Sequence, residues 1–385
     1  MFRRLSKASV GGGLAYYLAS PFFNSETEYH YKKTRFNEAI VQKVTPLKEY
    51  KPPIFLGSGI AQLLFNNYVC KDKHRVVEYT RSMVPLPDGG TLAVDYASSK
   101  KEAKAVVVVF PGLSGGSNKG YCKSLVQELL DDGFDVAVLH GRGMGGSEYT
   151  SMGFIDITGT DDIAAGMEFV RGRAEGKRIT GVGISLGANL MVKYAGLCHA
   201  TQPMKAMVSI NNPFDMWLAI NLMRGKIYEK YLVKELRTSM FARTLDPTKM
   251  SANERKVFEE MKAGYGGLDF PRMATSIETW RQFDEEFTIK VHKHFSCAAA
   301  YYSEGSCLED VSKVAIPTLV IHSKDDPIVP IDCVPIDECV ANEHFVTAVT
   351  PHGSHVCYFE FPGGQSRWYT RVAASYLDSA LKLLD

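Results

Sequence analysis

Residues 179–196 read ITGVGISLGANLMVKYAG, and the fold is decided by this stretch. The apolar run 179–184 predicts a buried strand, and the apolar spacing over 186–196 predicts a helix. Between them, Gly183-Ile184-Ser185-Leu186-Gly187 fits G-x-S-x-G at a strand-to-helix turn. A serine on so sharp a turn has strained backbone angles, and small flanking residues keep the turn free of clashes. The turn lifts the hydroxyl above the sheet, where the helix N-terminus places N–H groups and partial positive charge beside it. Ser185 is therefore the candidate nucleophile. The competing reading is a glycine-rich turn with a serine cap.

Outward from this turn, apolar runs alternate with helical spacing. Strands are predicted at 81–86, 91–97, 105–110, 135–140, 205–210, 317–322 and 345–350, and helices at 121–132, 161–173 and 368–384. The run AVVVVF at 105–110 is continuous, as in a strand covered on both faces. Pro87-Asp88-Gly89-Gly90 between the first two strands is a hairpin signal. Strand alternating with helix predicts an α/β fold, a mostly parallel sheet with helices on both faces. Between 211 and 316, about a hundred residues carry helical patterns and no clear strand, far beyond the usual short connection. The expected organisation is an N-terminal targeting or membrane-associating segment (1–25), an extension packing on the core (26–80), the core itself (81–213 and 317–385), and a helical cap or lid insertion (214–316). Phe214, Met216, Trp217, Leu218, Ile220, Leu222 and Met223 suit a lid over an acyl chain. At helical spacing the same residues also read as plain packing.

A serine hydroxyl needs an adjacent base. In this fold class the partners follow in the order serine, acid, histidine. Past the 317–322 strand stand Asp325 and Asp326, and the spacing to Val329-Pro330 favours Asp326 over Asp325. Past the 345–350 strand stand His352 and His355. Gly353 before the last histidine favours His355, with His352 as the alternative base. Imidazole has the pKa to take the serine proton and return it to a leaving group. The loop Pro111-Gly112-Leu113-Ser114-Gly115-Gly116-Ser117 suits an oxyanion site, with the N–H groups of Leu113 and Leu186 as donors. The glycine run 140–147 lacks the G-K-[ST] of a phosphate loop, and Arg142 within it reads as a structural ion-pairing residue.

Composition removes other classes. The 385 residues are 45% hydrophobic and 23% charged, which excludes collagenous, disordered and coiled-coil chains. Forty-four Lys and Arg against 43 acids leave a formal charge of +1, so no nucleic-acid partner is expected through a broad basic face. The eight cysteines are scattered without a C-x-x-C pair and read as reduced intracellular thiols. His292, His294 and Cys297 form a short ligand-like string, but no second ligand pair stands nearby. No metal or cofactor is expected. The start of the chain carries Arg3, Arg4 and Lys7 and no acid before Glu26, then an apolar run over 10–23, short of the ~20 residues of a membrane span. A mitochondrial presequence and a membrane anchor both fit it.

These stretches together resemble the YheT-like, embryogenesis-associated branch of the α/β hydrolases. The matching segments are FLGSGIAQ (55–62), LPDGGTLAVDYA (86–97), PGLSGGS (111–117), GISLGAN (183–189), FDEEFT (283–288), YYSEGSCLEDV (301–311), KDDPIVP (324–330) and HGSHVCYFE (352–360). The resemblance runs from about residue 50 to the end. It implies a serine hydrolase of small-molecule or lipid esters, with the triad on Ser185, Asp326 and His355 and membrane contact through the N-terminal segment. Ile60 and Phe110 depart from the family pattern, where a histidine and a polar residue are common. Three functions are weighed: ester hydrolysis, acyl transfer to an alcohol by the same triad, and a non-catalytic role on the hydrolase fold.

Overall fold

The computed structural model describes residues 26–48, 50–70, 76–360 and 367–385, so the expected segment 1–25 lies outside the described residues. The strands are β1 (Glu28–Tyr31), β2 (Thr80–Pro85), β3 (Thr91–Ala97), β4 (Val106–Phe110), β5 (Asp135–Leu139), β6 (Ile179–Ile184), β7 (Met204–Ile210), β8 (Thr318–Ser323) and β9 (Phe345–Thr350). They form one sheet in the order β1-β9-β8-β7-β6-β4-β5-β3-β2. The pairs from β5 across to β9 are parallel, and β1, β2 and β3 join antiparallel at the edges.

The valine run of β4 shows why a continuous apolar stretch belongs here. Successive side chains point to opposite faces of a strand. Val106, Val108 and Phe110 enter one core cluster with the helices Asp161–Arg173 and Leu186–Cys198. Val107 and Val109 enter another, with the helices Gly120–Asp131 and Trp368–Leu383. Both faces are covered, so neither can be polar. Each such buried side chain contributes about 1.5–3 kcal/mol relative to exposure. The mostly parallel α/β sheet expected from the sequence is the one observed. β1 has no counterpart in the sequence reading, because four residues, EYHY, at a sheet edge carry no apolar run.

Between β7 and β8 lie helices including Met216–Met223, Ile227–Phe241, Ala252–Gly264 and Phe270–Ser276. Phe258 packs against Phe270 at 5.0 Å within this segment, Phe287 packs at 4.8 Å on Phe154 from the loop after β5, and all belong to the cluster that holds Val106, Val108 and Phe110. Among the described residues no helix is long and apolar enough to cross a membrane.

In a parallel sheet every strand ends at the same edge. The loops after β4, β6, β7, β8 and β9 therefore converge, and registers such as Phe110 to Gly183 and Ile184 to Ile210 bring the strand ends level. Open α/β sheets bind their ligands at this edge.

Candidate active site

β6 ends at Ile184, and the next residue already caps the Leu186–Cys198 helix. Ser185 makes the turn with φ 54° and ψ −124°. Such a conformation costs roughly 1–3 kcal/mol and persists only where its surroundings enforce it. They do so here: the Ser185 N–H donates to Ile210 O at 2.8 Å, and its carbonyl accepts from the N–H of Ala188 at 2.9 Å. The flanking glycines are steric necessities. A Cβ at Gly183 would lie 2.5 Å from Ala188 Cα, and one at Gly187 would lie 2.2 Å from Phe110 O. Leu186 follows as the first helical residue, whose N–H has no partner within the helix.

His355 reaches this serine from the loop after β9. Its Nε2 stands 2.9 Å from Ser185 Oγ, and its Nδ1 stands 2.8 Å from Asp326 Oδ2. A carboxylate only accepts, so Nδ1 carries the proton and Nε2 faces the hydroxyl as acceptor. Asp326 is buried. Its Oδ1 accepts the N–H groups of Ile328 at 2.8 Å and Val329 at 2.9 Å. Burial pushes the Asp326 carboxyl up, but the electrostatic attraction and hydrogen bond of His355, with His322 and the Val329 N–H, hold it below its ordinary value. The residue is thus kept ionised where it can orient an imidazole.

The alternatives left open by the sequence pair with each other. Asp325 Oδ2 lies 3.2 Å from His352 Nδ1, and Asp325 Oδ1 accepts the Ser354 N–H at 2.9 Å. This outer pair braces the loop that carries His355. The N-terminal extension braces it too. Gly59 O accepts from Ser354 Oγ at 2.6 Å, and Gln62 Oε1 accepts the Phe359 N–H at 3.2 Å. Ile60 is 60% exposed and outside this contact.

Asn211, one residue past β7, has no place in the sequence reading. Its Nδ2 donates to Asp326 Oδ2 at 2.8 Å, and its Oδ1 accepts the Val356 N–H at 3.1 Å. The available signal was its position: a polar residue directly after a buried strand at the loop-bearing edge.

The loop after β4 is held from beneath by the Tyr121 hydroxyl, which accepts the Gly112 N–H at 3.1 Å. Ser114 turns at φ 57° and its hydroxyl lies 2.7 Å from Ser239 Oγ on the Ile227–Phe241 helix. Gly112 stands so close to Ser185 that a Cβ there would be 3.1 Å from the serine Cβ. Asp95 anchors the ends of this loop and the next, receiving Arg81, Ser117 Oγ at 2.6 Å and His140 Nε2 at 2.9 Å. The 140–147 run is not a phosphate cradle. Gly145 is packed against the His140 ring, and Arg142 donates twice to Asp162 at 2.7 Å as an ion-pairing residue.

Ser185, Leu113, Leu186 and His355 together line a pocket with about 920 Å³ of free space, counting its mouth. The rest of its wall is mostly apolar, with Met216, Ile220 and Met223 from one helix, Leu232 and Leu236 from the next, and Phe283 and Phe287 beyond. His292 lines the same pocket and stacks on Tyr301 at 4.4 Å, with burial pushing its pKa down, whereas Cys297 is exposed. Among the described residues, no group of three His, Cys, Asp or Glu side chains is placed to hold a metal ion.

The family model described as the alpha/beta hydrolase fold matches residues 105–361. The chain is 26% identical to an embryogenesis-associated protein of Picea glauca, over 88% of this chain and 74% of that protein. It is 24% identical to the monoacylglycerol lipase of Saccharomyces cerevisiae, over 90% of this chain and 84% of that one. A medium-chain fatty acid ethyl ester synthase/esterase of the same yeast is 27% identical, over 92% of both chains.

Proposed function

The chain belongs to the alpha/beta hydrolase fold family, and from that premise we propose that it hydrolyses carboxylic esters of lipids, acylglycerols foremost, through an acyl-enzyme on Ser185. The observation that carries this reading is the line Ser185–His355–Asp326, whose serine and histidine line a mostly apolar pocket. His355 Nε2 takes the hydroxyl proton as Ser185 Oγ bonds to the acyl carbon, and Asp326 holds the imidazole in the tautomer that permits it. The oxyanion is bound by the N–H groups of Leu113 and Leu186, each worth about 3 kcal/mol at the transition state. As the tetrahedral adduct collapses, the ester C–O bond breaks and His355 returns the proton to the leaving alcohol. Water, deprotonated by His355, then cleaves the acyl-enzyme. The apolar wall receives the acyl chain. The similarity to a yeast monoacylglycerol lipase supports this substrate class.

The similarity to a yeast ester synthase/esterase supports a second reading, in which an alcohol replaces water in the second half. One assay separates them: monoacylglycerols of graded chain length, with and without added ethanol, and analysis of products. Free fatty acid as the main product in both supports hydrolysis; ethyl ester displacing it supports transfer. No turnover of any ester would contradict both. Membrane contact through residues 1–25 is part of the same proposal. Fractionation of the full chain beside a version starting at Glu26 tests it, and identical soluble distributions would contradict it.

A further inference from the structure

We propose that Asn211 is a positioning residue for ester cleavage, one amide that fixes the Asp326 carboxylate and the backbone on both sides of His355 as a single unit. The inference rests on the roles given above to Ser185, His355 and Asp326. Asn211 is fully buried and sits at φ 46°, with its own N–H donating to Ile321 O at 2.9 Å. Its Nδ2 donates to Asp326 Oδ2 at 2.8 Å and to Ser354 O at 3.3 Å, and its Oδ1 accepts the Val356 N–H at 3.1 Å. Ser354 and Val356 are the two neighbours of His355. The residue that orients the imidazole and the chain that carries it are therefore tied to the same side chain.

The strain of the loop shows what that tie does. Ser354 has φ 57° and Val356 has φ 60°. A β-branched residue at positive φ is an outlier, and such backbone persists only where its surroundings over-determine it. The Asn211 carbonyl oxygen holds the Val356 N–H in that conformation. The amide also completes the carboxylate. Asp326 Oδ2 receives one N–H from His355 and one from Asn211, while Oδ1 receives Ile328 and Val329. A carboxylate offers about four acceptor positions, so all are filled and the group cannot rotate away from the imidazole. The position needs a short side chain with both a donor and an acceptor that tolerates positive φ, and asparagine meets all three demands. Asn211 does not line the pocket with Ser185 and His355, so it acts through them.

Two variants of the full chain test this. Asn211→Gly keeps the backbone conformation and removes the amide. The expected result is kcat lowered at least about tenfold with KM within about twofold, as for a group that acts only on the reacting residues. Asn211→Asp keeps the shape and sets a second carboxyl against Asp326. Carboxyls this close share a proton, so its pH profile of kcat/KM is expected to gain an ionisation absent from the wild type. The titratable groups around Asp326 are His322, the Asp325–His352 pair, Cys333, Tyr228 and Tyr358, with Cys357 beside His355. All are unchanged in both variants. Wild-type kcat and a wild-type profile in either folded variant would overturn the proposal, as would a raised KM at unchanged kcat. Should Asn211→Gly not fold, the Asn211→Asp profile decides alone. Ser185→Ala is assayed beside them: hydrolysis surviving there would refute the nucleophile itself, which separates the two failures.

Discussion

Gly187→Ala probes the nucleophile turn without touching a reacting group. A Cβ at this position would lie 2.2 Å from Phe110 O and 2.5 Å from Pro111 O. Ordinary contact begins at about 3.4 Å, so the Leu186–Cys198 helix and the end of β4 must separate by roughly 1 Å. Neither atom belongs to a flexible side chain. The motion opens the gap between Leu186 and Leu113, the two proposed oxyanion donors. A misplacement of about 1 Å costs on the order of a hundredfold in rate, or about 2.7 kcal/mol at the transition state. Overpacking removes a further 1–3 kcal/mol or so from stability. The assay is kcat/KM on a short-chain chromogenic ester, beside thermal unfolding. The control is Gly172→Ala in the Asp161–Arg173 helix, where a Cβ meets nothing within 4 Å. It is expected to keep full activity and to gain about 0.5–1 kcal/mol of stability. A Gly187→Ala protein with wild-type kcat/KM would refute the steric argument and the placement of the oxyanion site with it.

Three further outcomes are expected. Asp326→Asn lowers kcat about 10³–10⁴-fold, whereas Asp325→Asn, which loosens only the outer pair with His352, stays within about tenfold; equal losses would contradict the division of roles. Ile220→Trp, filling the pocket wall, shifts preference toward shorter acyl chains, with each displaced methylene costing about 0.8 kcal/mol, roughly fourfold in kcat/KM; an unchanged chain-length profile would place the acyl chain elsewhere. Asp284 is buried beneath this pocket wall, where burial pushes its carboxyl up to about 6 despite hydrogen bonds from Tyr302 at 2.7 Å and Thr288 at 3.1 Å. The folded state then holds the proton more tightly than the unfolded chain, so stability falls as pH rises from about 4 to 6 and levels off above that. Asp284→Asn removes that dependence and gains up to about 3 kcal/mol relative to wild type between about pH 4 and pH 7, read from denaturant midpoints; parallel pH curves would refute it.

What the sequence made legible follows a physical rule. Strands such as β4 and β6 are buried on both faces, and burial leaves an uninterrupted apolar run that any reader can find. The turn at Ser185 was legible because it tolerates only glycine at 183 and 187, so the steric constraint is written as a pattern. The choice of Asp326 over Asp325 rested on spacing to Val329-Pro330, that of His355 over His352 on Gly353, and the family resemblance pointed to the same residues. In the structure Asp325 faces His352, and Asp326 with His355 faces Ser185. Two features were not read from local pattern. β1 is an edge strand of mixed polarity, fixed by pairing with β9 far along the chain. Asn211 takes its meaning from partners more than a hundred residues away, at Asp326 and Val356. Its position past a buried strand marks it as a candidate, but long-range hydrogen bonding of a single amide has no period and no motif, so its partners come only from the folded chain.

An activated Ser185 would be labelled when the folded protein is treated with a fluorophosphonate, as read from intact mass and the modified peptide. One adduct per chain is expected, located on Ser185 and absent in Ser185→Ala and His355→Ala. An adduct on another residue, or none on a folded wild-type chain, would contradict that activation.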